Sequence, residues 1–190
     1  MSRVFFRLAA ATVLLGTLAA CGVEQKVSEP DKIIFLRAAD LGRFGFRYEN
    51  AAAYEVFSKT RHFDGTYDLK YTFTTPKGDP HPLYIFISVS VGNQESDAVV
   101  SERAEKIGLL IGFKKEGIEE REVAGALPHG DSSRFALMVK DGNPIGNTFS
   151  LRDGRKTYLL VMSGLYFQDP ALWRTLIEPK LRELSGFSPA

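Results

Sequence analysis

The stretch Arg134–Ser163, RFALMVKDGNPIGNTFSLRDGRKTYLLVMS, decides the fold. Three apolar runs, Arg134–Lys140, Ile145–Arg152 and Lys156–Ser163, are separated by the breaks Asp141-Gly142-Asn143-Pro144 and Asp153-Gly154. Their Val, Ile, Phe and Tyr side chains suit a pleated surface, and an Asp-Gly pair supplies the positive backbone angles of a tight hairpin. The stretch therefore predicts an antiparallel meander, with Ile118–Ala124 as a further strand ahead of it. Upstream, Leu83–Val91, LYIFISVSV, predicts a central, well-buried strand. Before that, Tyr67, Leu69, Tyr71 and Phe73 alternate with Asp68, Lys70, Thr72 and Thr74, a period of two that places the four rings and chains on one face.

Two helices complete the pattern. Glu95–Phe113 carries Val99, Val100, Ala104, Ile107, Leu110 and Ile111 on one side and Glu102, Arg103, Glu105 and Lys106 on the other. The apolar stripe is expected to cover the sheet, with Asn93 or Ser96 as cap. Asp169-Pro170 opens a second helix bearing Leu172, Trp173, Leu176, Ile177, Leu181 and Leu184, with the aspartate as cap, proline in the first turn, and Pro179 as a kink. Strands, a helix, at least four strands and a helix make an α+β domain, an antiparallel β-sheet packed with helices. One domain over residues 33–190 is expected.

The beginning of that domain is less regular. Ile33–Leu36 predicts a short strand, and Ala51–Lys59 reads equally as helical turn or strand. Phe44, Phe46, Arg47 and Tyr48 alternate around Gly45, and if exposed they form an interface with aromatic and arginine anchors; core packing is the alternative. Val23–Lys32, VEQKVSEPDK, is polar and aperiodic and predicts that residues 21–32 form a flexible tether.

The layout, with the segments LYIFISVSV (83–91), KTYLLVMSG (156–164) and DPALWRTLI (169–177), resembles the fold family of the extrinsic PsbP protein of photosystem II, its bacterial relatives and the Ran-binding nuclear-import factor. That PsbP-like resemblance implies an αβα sandwich over about residues 32–187 and an accessory or scaffold role without its own chemistry.

The first twenty residues, MSRVFFRLAAATVLLGTLAA, place Arg3 and Arg7 before an uncharged run, the order of a secretory signal. The run from Leu8 to Ala20 is too short to span a bilayer as a helix, which needs about 20 apolar residues. Leu18-Ala19-Ala20-Cys21-Gly22 resembles the lipobox of bacterial lipoproteins. The resemblance implies cleavage before Cys21, diacylglycerol on its thiol and a further fatty acyl chain such as palmitate on its amine. Two or more chains make a stable anchor, since each buried methylene contributes about 0.8 kcal/mol. Gly22, where aspartate would favour inner-membrane retention, implies the periplasmic face of the outer membrane. Cys21 is the one cysteine, so lipidation leaves neither a disulfide nor a thiol nucleophile.

With Arg3 and Arg7 gone, the 24 basic side chains fall to 22 against 23 acidic ones. Such a balance carries no signal for nucleic acid or for electrostatic adhesion to lipid. His62, His81 and His129 fall in separate expected loops without metal-ligand spacing; zinc on two of them with Asp64 or Asp131 is the metal alternative. Asp64-Gly65 reads as the turn into the Tyr67 strand rather than as a calcium loop with Asp68. Ser163 lacks a Gly-x-Ser-x-Gly elbow, although a serine with His129 and Asp131 stays open. Gly142–Asn147 lacks the end of a phosphate loop. No catalytic, cofactor or metal residue is assigned. The expected function is a lipid-anchored, non-catalytic accessory or assembly subunit with a protein partner in a membrane or envelope complex. A periplasmic small-ligand or lipid carrier and an envelope hydrolase with a spatially assembled site are the alternatives.

Overall fold

A computed structural model describes residues 22–125 and 128–189. Eight strands form one antiparallel sheet: β1 (Gly22–Gln25), β2 (Glu55–His62), β3 (Tyr67–Thr74), β4 (Tyr84–Val91), β5 (Ile118–Glu122), β6 (Ser132–Lys140), β7 (Asn143–Asp153) and β8 (Lys156–Ser163). Their order across the sheet is β1-β2-β3-β4-β8-β7-β6-β5. Among the described residues, three α-helices accompany them: α1 (Glu29–Lys32), α2 (Glu95–Glu116) and α3 (Pro170–Gly186). The expected α+β architecture and the meander are present. The β6–β7 hairpin turns on Asp141 and Gly142, both at positive φ (51° and 78°), the twist that a two-residue connection requires.

Alternation along the strands divides the core in two. On one face, Leu69, Tyr71 and Phe73 join Ile85, Ile87, Val89, Leu160 and Met162, and α3 lays Trp173, Leu176, Ile177, Leu181 and Leu184 over them. Trp173 stacks on Phe135, with ring centroids 4.4 Å apart and planes 10° apart. Asp169 caps α3 by accepting from the Ala171 amide at 2.8 Å, and Pro179 lies inside the helix. On the other face, Tyr84, Phe86, Leu159, Val161 and Met138 meet Leu109 and Phe113 of α2. The first part of β4 contributes to both cores, which explains why Leu83–Ile87 is apolar throughout, whereas Ser88 and Ser90 alternate with Val89 and Val91 in its second part.

Three expectations at the front of the chain and on α2 are corrected. Residues 22–32 are not a tether: β1 pairs with β2 from Gly22 opposite His62 to Gln25 opposite Lys59. Helix α1 follows, its Ser28 cap exchanging bonds with Asp31. The Asp31 carboxylate lies 3.1 Å from the Lys59 ammonium, and both side chains are almost wholly buried. Burial works against the Asp31 charge, but bonds from Ser28 and the Lys59 ammonium outweigh it and hold this carboxyl below the usual range. Lys59 is 28 residues from Asp31, and the β2 partners of β1 are further still along the chain, so local composition carries no sign of them.

Ile33–Leu36 is not a strand either. Ile34, Phe35 and Leu36 are buried in a turn, where the Leu36 amide donates to the Tyr158 hydroxyl at 3.4 Å. Ala51–Lys59 resolves into a 3-10 turn over Ala51–Tyr54 followed by β2.

The third correction concerns which way α2 faces. The stripe expected to cover the sheet points to solvent: Val100, Ile107, Leu110 and Ile111 are between 53% and 67% exposed. The sheet under the first half of α2 is polar, so Glu102 and Glu105 turn inward there, and apolar contact is left to Leu109 and Phe113 in the second half.

Candidate functional site

Helix α2 starts at a tight turn. Gly92 has no room for a side chain, since a Cβ there would lie 2.6 Å from the Asp97 Cβ. Asp97 accepts from the amides of Asn93 (2.9 Å) and Gln94 (3.2 Å), so the cap is Gln94 with Asp97 in a capping box, rather than Asn93 or Ser96. Gly117, at φ 67°, ends the helix in the left-handed conformation. The 22 residues between make a helix of about 33 Å at 1.5 Å per residue.

Its inward side carries two carboxylates ahead of Leu109 and Phe113. Glu102 accepts from the Ser132 hydroxyl at 2.8 Å and from Arg152 Nε at 3.1 Å. Arg152 also reaches Asp131 at 3.0 Å. Glu105, one turn on, is hydrogen-bonded by Ser88 of β4. Desolvation between helix and sheet pushes its carboxyl up to about 8; the Ser88 bond and Lys70 oppose that shift, while Asp68 and Glu102 add to it. Beyond it, Asp68 bridges two side chains, bonding His62 Nε2 at 2.9 Å and accepting from the Ser90 hydroxyl at 2.7 Å.

The outward side is apolar. Val100, Ala104, Ile107 and Ile111 recur at spacings of four, three and four, with Leu110 beside them and the exposed cations Arg103, Lys106 and Lys114 at the rim. A row at that spacing is one face of a helix and fits the groove of another. An apolar row carried outward while carboxylates are carried inward reverses the usual economy of a surface helix. An exposed apolar strip is the kind of surface through which proteins meet partners.

The other residues singled out in the sequence do not assemble. His62 meets Asp68, but Ser90 spends its proton on the same carboxylate, so no hydroxyl is aimed at the imidazole as a nucleophile–base pair requires. His81 is exposed, and His129 lies in a different connection, its amide donating to the Ser133 hydroxyl. Asp64 closes its own turn by accepting from the Thr66 amide and hydroxyl, while Asp131 is held by Arg152 and the Gly154 amide. Ser163 is buried in β8. Among the described residues, no group of three or more His, Cys, Asp and Glu side chains is placed to hold a metal.

Phe44, Phe46 and Tyr48 are partly buried against the α3-side core, leaving Arg47 exposed. Phe44 meets Phe167 edge-on at 5.4 Å, and Tyr48 meets Phe73 at 5.5 Å. Cys21 lies outside the described residues. Among the described residues, no helix is long and apolar enough to cross a membrane. The outward row on α2 was readable as apolar but not as exposed; the signal for its direction is the pair Glu102 and Glu105 at helical spacing, which needs Arg152 and Ser88 to explain it. No protein-family model, curated protein or solved structure matches the chain.

Proposed function

We propose that this chain is a lipid-anchored, non-catalytic accessory or assembly subunit, held by acyl chains on Cys21 at the periplasmic face of a membrane, with the outer membrane favoured. In this reading its α+β sandwich follows the PsbP-like plan, and it works by docking on a protein of an envelope complex. The observation that carries the reading is the outward apolar row of α2. Seating Ile107 and its neighbours in a partner's groove contributes about 1.5–3 kcal/mol for each aliphatic side chain fully removed from water, enough for a few of them to dominate an interface.

The test is purification of the full lipidated chain from envelopes solubilised in mild detergent, beside the variant Ile107→Glu. The expected result is a stoichiometric partner with the parent chain and its loss with the variant, while the variant's thermal unfolding stays unchanged. If both chains purify alone, or both retain the same partner, the reading fails.

A further inference from the structure

We infer that the end of the sheet formed by Gly22 and the β2–β3 turn is a membrane-seating surface, with Phe63 entering the interfacial layer of the bilayer. The inference rests on the lipid anchor at Cys21 proposed above and gives that anchor a geometry. Cys21 is bonded to Gly22, so the two Cα atoms are about 3.8 Å apart. Gly22 is no longer tether: it is paired in β1 opposite His62, the last residue of β2. The next residue is Phe63, the tip of the hairpin, closed by the Thr66 carbonyl accepting from the His62 amide at 2.9 Å and by the Gly65 amide donating to the His62 carbonyl at 3.0 Å. Acyl chains on Cys21 therefore leave no slack for the domain to stand away from the headgroups.

The side chain at that tip fits the position. Phe63 is 80% exposed, more than any other large apolar side chain described, although the two strands it joins have partners on both sides. Val23, also exposed, stands across from the exposed Arg61 on the same end. An aromatic ring and an aliphatic chain beside a guanidinium match the apolar-to-polar gradient at the bilayer boundary. Asp64 is on this end too, so the seating depends on insertion and the acyl anchor rather than on charge. The β3–β4 connection, with exposed Lys77, is at the opposite end of β3, about 27 Å away at about 3.4 Å per residue.

The lipidated full chain is reconstituted into vesicles of phosphatidylethanolamine and phosphatidylglycerol whose acyl chains carry bromine. Two variants, Phe63→Trp and Lys77→Trp, are compared by fluorescence, and the mass of each purified protein reports its lipidation. Trp173, the one native tryptophan, is buried and supplies a common background. The expected result is a several-fold stronger quenching by brominated chains in Phe63→Trp than in Lys77→Trp. Equal quenching in two lipidated variants overturns the seating and leaves the anchor standing. A mature mass without acyl chains overturns the anchor, and the seating with it.

Discussion

Replacing Glu105 by glutamine should make the protein more stable in alkali and leave it nearly unchanged in acid. The carboxyl sits between α2 and β4, hydrogen-bonded by Ser88, with Lys70, Asp68 and Glu102 as the charged groups around it. Its pKa is pushed up to about 8 from an ordinary 4.5, first by desolvation. The unfolded chain therefore releases this proton near pH 4.5, whereas the folded chain keeps it to about pH 8. Between those values the folded state binds more protons, so stability falls as pH rises. Well below pH 4.5 both states are protonated and the group contributes no pH dependence. The slope reaches about 1.4 kcal/mol per pH unit at its steepest. Glu105 is half-buried rather than fully enclosed, which reduces the total to roughly 2–4 kcal/mol across the window. Glutamine stays neutral throughout and still accepts from Ser88. Urea titrations at about pH 3.5 and about pH 8 should give nearly coincident curves for parent and Glu105→Gln at the lower pH. At the higher pH the variant should be more stable by that roughly 2–4 kcal/mol. Parallel pH profiles, or a variant weaker than the parent at pH 8, would refute the placement of this carboxyl in a desolvated seam.

Lys59→Met should cost about 3–5 kcal/mol, because it strands the buried Asp31 charge, and adding Asp31→Leu should recover most of the loss; urea midpoints of the single and double variants decide this. Gly164 is at φ 93°, and a Cβ there would lie 1.9 Å from the Pro82 carbonyl oxygen; Gly164→Ala should cost at least about 2 kcal/mol, read as a lowered Tm. Ile107→Glu should change stability by less than about 0.5 kcal/mol, since the side chain is already solvated; a large fall in Tm would mean that the row on α2 supports the fold instead of facing a partner.

Most of the sheet was legible because its information is local. The alternation of Tyr67–Thr74, the saturation of Leu83–Val91 and the Asp-Gly turns each speak for themselves, as do the Asp169 cap and the run from Trp173 to Leu184. What escaped depends on distant partners. Residues 22–25 look like linker until β2 is placed beside them, and Ile33–Leu36 look like a strand until the Tyr158 hydroxyl takes the Leu36 amide. The sequence of α2 identifies a helix but not the face it turns to the sheet. Apolar residues lie all around its second half, with Leu109 and Phe113 on one side and Ile107, Leu110 and Ile111 on the other. Only Arg152, Ser132 and Ser88, from three strands, show that its acids belong inside. The His62–Asp68–Ser90 cluster was hidden for the same reason, since Asp68 and Ser90 meet only through the β3–β4 register.

The two free borders of the sheet narrow how this molecule meets others. Strand β5, on one border, reads Ile118-Glu119-Glu120-Arg121-Glu122, and β1, on the other, is four residues long and carries Glu24. A foreign strand arriving at either would have to set its backbone along a row of fixed charges or along a ledge too short to grip. Stacking into fibres and capture of extended peptides are thereby discouraged at both borders. Under the proposed docking role, recognition falls to side chains displayed on a helix, where shape can discriminate among visitors in a way that backbone pairing cannot.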